Sequence, residues 1–251
     1  TENITDDFRL EANDSLILIK DESTCDCKKQ ISVEEITDSF AMTDITDNYF
    51  VMDYAEYGKD GMHYKKRKPI SQLFENLLRE DYKGEVYIRQ KFVLREKMPL
   101  KLILEKNRYI FLRVNGAELR LEESSFDFGF EETDISDFVQ IGENELIYCI
   151  RYYQHDGVRF ALFDPMATES VQNCLYYDTQ IENTYLKGDF VVERDGALNT
   201  RKRYPKLSDT LYKEGYPFFM GTITLVGNYR YDGIGERRLS LDGRFLVAEL
   251  L

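Results

Sequence analysis

The sequence predicts an all-β protein, an antiparallel β-sandwich or jelly roll with one or two short helices. Within residues 85–153, apolar side chains recur at every second position in six consecutive runs, from Val86–Leu94 to Leu146–Tyr152. Residues two apart lie on one face of a pleated strand. Short turns separate the runs, and no long helical pattern lies between them. Several alternating strands joined by tight turns are typical of sandwich folds.

Before this central stretch, the first 45 residues are acidic and contain one short apolar run at Ser15–Ile19, which predicts a strand. Residues 48–57 predict a second strand, and the basic segment 62–68 predicts an edge strand, since lysines discourage pairing with other chains. The apolar residues of Ile70–Arg79 have a 3–4 spacing, which predicts a short helix that packs against the sandwich. A partner-binding helix is the alternative.

Turns and later strands follow in order. Asn115-Gly116 suits a type I′ hairpin turn, and the side-chain amide of Asn144 is expected to bridge the turn at residues 142–144. The remaining predictions are strands at 158–163, 173–177, 185–192, 221–231, 238–241 and 245–251, a loop at 165–172 and a helix at 207–212. We expect an N-terminal extension at 1–45, the main sandwich at 46–200, and strands at 201–251 that complete it or begin a second one.

Composition narrows the classes of partner. The chain has 46 acidic and 33 basic residues, a formal charge of −13 and a pI of about 4.8. An acidic surface repels phosphate groups, so no nucleic acid or anionic membrane is expected as a partner. The four cysteines (Cys25, Cys27, Cys149 and Cys174) are expected to be reduced thiols. No leader is visible and no run approaches the ~18 apolar residues of a membrane span, which favours a cytoplasmic location.

Five short motifs follow one another in the central stretch: Tyr87-Ile-Arg-Gln-Lys-Phe92, Phe111-Leu-Arg-Val-Asn-Gly116, Phe126-Asp-Phe128, Asp134-Ile-Ser136 and Gly142-Glu-Asn-Glu-Leu-Ile147. Their order and spacing resemble the non-catalytic, sugar-binding or galactose-binding-like β-sandwich modules of family 2 and related bacterial glycoside hydrolases. The resemblance implies a non-catalytic part of a larger glycoside hydrolase, with the catalytic domain of the same polypeptide as its partner.

In such enzymes, two carboxylates on a separate α/β barrel carry out hydrolysis. This sequence lacks the alternating strands and helices of a barrel. Asn144-Glu145 matches the Asn-Glu pair of such barrels only superficially, because it follows a glycine in a turn of the sandwich. We therefore expect no catalytic residue in this chain, and whether it has enzymatic activity of its own is left open.

Two clusters of tyrosines beside hydrogen-bonding residues have the composition of a carbohydrate-binding surface. An aromatic ring stacks on the apolar face of a sugar ring, while polar neighbours bind the hydroxyl groups. The alternative is that these tyrosines are half-buried strand residues. The candidates are Tyr152, Tyr153, His155, Asp156, Tyr176 and Tyr177.

No cofactor is expected, because His63 and His155 are not clustered with other ligands and no phosphate-binding loop is present. A structural calcium ion near Asp127–Asp137 is the alternative, since carboxylates cluster there. Three functions agree with the sequence. They are a module that scaffolds a catalytic domain, an autonomous carbohydrate-binding or adhesion module, and a small jelly-roll enzyme with two close carboxylates.

Overall fold

The computed structural model describes residues 40–123, 128–205 and 211–227. The chain divides into two compact units, and almost all of the described residues belong to the unit Met42–Leu225. The strands predicted at 15–19, 238–241 and 245–251, and most of the helix predicted at 207–212, lie outside the described residues. The three predicted segments, with their two boundaries, therefore stay predictions.

Strands dominate the described residues. In chain order they are β1 (Phe40–Ile45), β2 (Asn48–Met52), β3 (Tyr54–Gly58), β4 (Lys65–Pro69), β5 (Gly84–Leu94), β6 (Lys101–Glu105), β7 (Tyr109–Val114), β8 (Ala117–Glu118), β9 (Glu122–Glu123), β10 (Phe130–Asp134), β11 (Gly142–Tyr152), β12 (Thr184–Gly188), β13 (Phe190–Val192), β14 (Leu198–Thr200) and β15 (Ile223–Gly227). The helices are α1 (Ile70–Arg79), α2 (Asp156–Phe163), α3 (Glu169–Asn173) and a 3₁₀ helix at Leu211–Glu214.

The strands form two large sheets and one small one. One sheet has the order β2-β12-β6-β10-β9. The other has the order β13-β14-β5-β11-β7-β8, with β3 added beside β5 and β4 beside β3. Within these two sheets the strand pairs are antiparallel, except for a single parallel contact between Leu198 of β14 and Leu94 of β5. Strands β1 and β15 form a separate two-stranded sheet.

One hydrophobic core joins the two large sheets. It combines buried side chains of the first sheet, such as Leu102 and Leu186, with those of the second, such as Ile88, Val114 and Leu146. The longest pairing, between β5 and β11, runs without a break from one end of both strands to the other. The alternating apolar residues of these strands face this core, which confirms the predicted all-β sandwich.

Helix α1 confirms the predicted helix and its role in packing. Ile70, Leu73, Leu77 and Leu78 are buried, and they are the residues whose 3–4 spacing predicted an amphipathic helix. The N–H group of Ile70 donates a hydrogen bond to the carbonyl of Asp53 at 2.9 Å. This bond ties the start of the helix to the segment between β2 and β3. The predicted basic edge strand is also present as β4, and among the described strands it pairs only with β3.

Two predicted strands each turn out to be two strands in different sheets. The segment 48–57 divides into β2 and β3, and the segment 185–192 divides into β12 and β13. The second crossing needs a glycine, because a Cβ atom on Gly188 would lie 2.8 Å from the carbonyl oxygen of Pro99. The alternation of buried positions continues from β12 into β13, but between β2 and β3 it shifts by one residue, from Met52 to Ala55 and Tyr57.

The segment after β11 is helical, so the strand predicted at 158–163 is wrong. There α2 buries Val158 and Ala161, which are three residues apart and share one face of a helix. The loop predicted at 165–172 contains the start of α3, and residues 173–177 form no strand. The five apolar residues of segment 158–163 are compatible with both a strand and a buried helical turn, so periodicity alone does not separate the two.

The turn at the end of β7 is confirmed, whereas residues 142–144, predicted as a turn, already belong to β11 and pair with β5. Asn115 and Gly116 both have positive φ angles, 49° and 85°, as a type I′ turn requires. The amide of Asn144 accepts hydrogen bonds from the Gln140 N–H and the Asn115 side chain, both at 2.8 Å. It donates to the carbonyls of Gln140 and Gly142. Asn144 therefore joins the two turns to each other.

Candidate functional site

The two predicted tyrosine clusters meet in space at the end of β11. The buried side chain of Gln154 connects them: its Oε1 accepts a hydrogen bond from the backbone N–H of Asp178 at 2.9 Å, and its Nε2 donates to the carbonyl of Thr179. The backbone N–H of Tyr153 also donates to the Thr179 hydroxyl at 3.5 Å. These bonds hold the segment before β12 against the end of β11.

Asp178 is the acceptor at the centre of the site. Its Oδ2 accepts from the backbone N–H of His155 at 2.8 Å and lies 2.6 Å from the ring atom Nδ1 of His155. These contacts hold the pKa of Asp178 below its ordinary value of 3.8. The hydrogen bond from the His155 ring has the largest effect. The side chain of Tyr153 lowers it further. A carboxylate in this position fixes the Nδ1–H tautomer of the imidazole.

The ring of Tyr176 covers the imidazole. The two ring centroids are 4.7 Å apart at an interplanar angle of 23°, which is a stacked arrangement. Tyr176 is nevertheless 64% exposed, so much of its surface faces solvent. The half-buried ring of Tyr153 lies 5.3 Å from the guanidinium of Arg108. We call Tyr153, His155, Tyr176 and Asp178 the Tyr176 surface.

The other three candidate residues, Tyr152, Tyr177 and Asp156, are not part of the Tyr176 surface. Tyr152 is 1% exposed and packs edge-on against Phe74 of α1, so it is a core residue. Tyr177 also packs against Phe74, with ring centroids 5.1 Å apart. Asp156 is exposed at the start of α2 and forms an ion pair with Lys83 at 3.1 Å. The structure therefore brings Tyr153, His155 and Tyr176 together, and it places Tyr152 and Tyr177 in packing roles.

Asp178 belongs to the second predicted cluster, Tyr176-Tyr177-Asp178, although it is not one of the six candidate site residues. Asp156 was the candidate because it directly follows His155, but His155 bonds instead to a residue 23 positions away. The position of Asp178 directly after the second tyrosine pair is the one signal in the sequence that could have identified it.

A pair of carboxylates occurs at a different place. Glu105 and Glu182 both line a cavity of about 10 Å³. Burial and the nearby charge of Glu182 raise the pKa of Glu105. This volume is about the minimum for one water molecule, so the cavity has no room for a sugar ring. Among the described residues, no group of three or more His, Cys, Asp or Glu side chains is placed to hold a metal ion.

The part of the chain that the structure describes contains no helix long and apolar enough to cross a lipid bilayer.

Comparisons with known proteins find weak similarity at the level of structure. No family model matches the sequence, and no curated protein does. A β-D-glucuronidase of Dictyoglomus thermophilum aligns with 59% of this chain and 30% of its own, at 16% identity and a TM-score of 0.37. A β-glucuronidase of Ruminococcus gnavus aligns with 61% of this chain and 36% of its own, at 13% identity and a TM-score of 0.38.

A further structure of the Ruminococcus gnavus enzyme, in complex with uronic deoxynojirimycin, aligns with 74% of this chain and 40% of its own, at 13% identity and a TM-score of 0.36. This chain therefore corresponds to well under half the length of these enzymes. Similarity at this level supports no argument about activity.

Proposed function

We propose that this chain is a non-catalytic, carbohydrate-associated β-sandwich module of a larger glycoside-hydrolase-like protein. It scaffolds the catalytic domain and contacts sugar through the Tyr176 surface. The ordered motifs from Tyr87 to Ile147 support the scaffold part. The observation that carries the sugar contact is the exposed Tyr176 ring, stacked on an imidazole that Asp178 holds in place.

This arrangement has the elements that sugar recognition needs. The stacking on His155 orients the Tyr176 ring before a ligand arrives, which lowers the entropy cost of binding. Because the Nδ1 of His155 faces Asp178, its Nε2 accepts a hydrogen bond from a sugar hydroxyl when the ring is neutral. A carboxylate has more acceptor positions than the two that His155 uses, so Asp178 can accept from a further hydroxyl.

Binding to a glycan array, followed by calorimetry with the best ligand, tests the sugar contact. We expect Tyr176→Ala to weaken binding by about tenfold or more. The stacking of a ligand ring on an aromatic side chain contributes about 1–3 kcal/mol. Tyr54→Ala is the matched control, because Tyr54 is also a partly exposed tyrosine, 43% exposed, on β3. Equal affinity of the Tyr176→Ala variant and the wild type would contradict the assignment.

An autonomous carbohydrate-binding or adhesion module is the second candidate, and the same exposed ring favours it. The complete gene product distinguishes the two: a region of alternating strands and helices after Leu251 supports the scaffold, and its absence supports the autonomous module. In either case the purified chain is expected not to cleave chromogenic glycosides. Cleavage that a single carboxylate substitution abolishes would overturn both.

A further inference from the structure

The turn at the end of β7 contains the only Asn-Gly pair in the sequence, Asn115-Gly116. Asparagine is a thermolabile residue. It deamidates fastest before glycine, because glycine has no side chain to keep its backbone nitrogen away from the asparagine amide. Both residues are exposed, and a Cβ atom on Gly116 would meet nothing within 4 Å beyond its chain neighbours. Neither burial nor crowding therefore protects this pair.

Deamidation here requires the Asn115 side chain to move towards the next residue. The backbone N–H of Gly116 gives its proton to water, and the nitrogen forms a bond to Cγ of Asn115. The Cγ–Nδ2 bond breaks, and Nδ2 takes up a proton and leaves as ammonia. The five-membered imide that results then adds one water molecule and opens to aspartate or isoaspartate. Water is the only co-reactant, and no atom is oxidised or reduced.

Three hydrogen bonds of the Asn115 side chain oppose this movement. Its Nδ2 donates to the carbonyl of Phe138 and to Oδ1 of Asn144, both at 2.8 Å. Its Oδ1 accepts from the backbone N–H of Glu145 at 2.9 Å. The nitrogen that would leave and the oxygen of the same amide are therefore both held by β11 and the segment before it. We call these three bonds the Asn115 clasp.

The clasp has a rigid partner that cannot adapt to the product. Asn144 is 1% exposed, and its Nδ2 donates to the carbonyls of Gln140 and Gly142, so rotation of its amide would break both bonds. An aspartate at position 115 has no side-chain N–H, so the Phe138 carbonyl and Oδ1 of Asn144 lose their donor. Isoaspartate lengthens the backbone of a turn that depends on two positive φ angles. Neither product can re-form the clasp.

From this geometry we propose that Asn115 is a latent modification site, where spontaneous deamidation proceeds only when the clasp opens and then keeps the turn open. Strand β8 pairs with β7 through only two residues, so this opening does not require the core to unfold. Such local openings cost less free energy than global unfolding. The inference does not rest on the proposed function, because the clasp shares no residue with the Tyr176 surface.

Peptide mass spectrometry measures the reaction directly, because trypsin releases residues 114–120 as one peptide between Arg113 and Arg120. The full chain is incubated at mildly alkaline pH, either folded in buffer or unfolded in urea. We expect Asn115 to deamidate at least about tenfold more slowly in the folded chain, because the clasp must open first. Equal rates in the two states would overturn the inference.

Two variants separate the opening of the clasp from global unfolding. Asn144→Ala removes an acceptor of Asn115 and should accelerate the reaction in the folded protein by about tenfold or more. Leu186→Ala is the matched control, since it removes a core side chain of β12 in the other sheet and should leave the rate within about threefold of the wild type. Circular dichroism shows that both variants fold. No acceleration in Asn144→Ala, or equal acceleration in both, would contradict the gating role of the clasp.

Asn115→Asp reproduces the product of the reaction. It should lower the thermal midpoint by about 2 °C or more, because two acceptors lose their donor. Asn173→Asp is the control, since Asn173 is exposed and its side chain makes no hydrogen bond within the described residues. An Asn115→Asp variant that melts at the temperature of the wild type would show that the product keeps the turn, which would overturn the irreversible step.

Discussion

At the scale of single residues, Asp178 determines how the Tyr176 surface is put together. Its carboxylate holds both the backbone and the ring of His155, and the ring in turn supports Tyr176. None of these residues belongs to a strand, so the surface depends on side-chain bonds between two loops. Hydrogen bonds to a charged group contribute more than neutral ones, which is why one carboxylate can order this segment.

Acid is expected to release the His155–Asp178 link. The folded-state pKa of Asp178 lies below its ordinary value of 3.8, chiefly because His155 donates to the carboxylate. The stabilisation is therefore complete above pH 3.8 and is lost as the pH falls through the lowered pKa. NMR detects this as loss of the Tyr176–His155 ring contact. The contact should already be weak at neutral pH in Asp178→Asn, and a titration of Asp178 at or above 3.8 would contradict the prediction.

The two described cysteines are expected to differ strongly in reactivity. Cys149 is fully buried, and burial raises its pKa to about 11, whereas Cys174 is exposed. Only thiolate reacts, and two pKa units reduce its fraction about a hundredfold. Peptide mass spectrometry after a short iodoacetamide pulse at pH 8 should find Cys174 modified and Cys149 intact until the protein unfolds. Similar rates at both sites in the folded protein would refute this.

At the scale of elements, the chain crosses from one sheet to the other at two places, between β2 and β3 and between β12 and β13. Neither crossing is marked by turn residues in the sequence, because a single residue links the two strands in each case. Gly188, at the end of β12, allows a close approach to the backbone of Pro99. Between β11 and β12, helix α2 replaces a predicted strand and α3 begins in a predicted loop, and His155 lies at the start of α2.

Among the polar residues at the start of β11, Asn144 is expected to be the one whose substitution lowers the free energy of unfolding most. It is 1% exposed and makes four hydrogen bonds that link the turns at Asn115 and Gln140. Asn144→Ala leaves several of these groups unsatisfied and should lower the free energy of unfolding by about 2–4 kcal/mol. Urea denaturation measures this. The exposed Gln140→Ala serves as the control and should cost less than about 0.5 kcal/mol; equal losses would argue against the bridging role.

At the scale of the whole molecule, a single core unites the two large sheets and helix α1. Its aliphatic side chains come from strands far apart in the chain, such as β2 with β12 and β5 with β11. Such a core forms only when both sheets are assembled. The Tyr176 surface lies on segments that this assembled scaffold positions.

Leu186 tests this shared core. It lies in β12, is fully buried, and belongs to the cluster that joins the sheets. Leu186→Ala should reduce the free energy of unfolding by about 2–5 kcal/mol, because it removes buried methyl groups and leaves a cavity. Phe128→Ala is the control, since Phe128 is 90% exposed and its loss should cost under about 0.5 kcal/mol. A small effect at Leu186 would show that the sheets do not depend on each other.

The sequence by itself determined the class of fold, helix α1 and the turn at Asn115-Gly116. These depend on local periodicity and on backbone angles that few residues adopt. It also identified both loops of the Tyr176 surface by their composition, but only the tertiary structure decided which residues within them meet.

The physical reason is that periodicity specifies the face of a side chain and not its partner. Tyr152 and Tyr153 look alike in the sequence, yet alternation along β11 buries one and leaves the other half-exposed. The bond between His155 and Asp178, like the pairing of β2 with β12, joins residues distant in the chain. Such contacts arise from the packing of the two sheets, which no local pattern encodes.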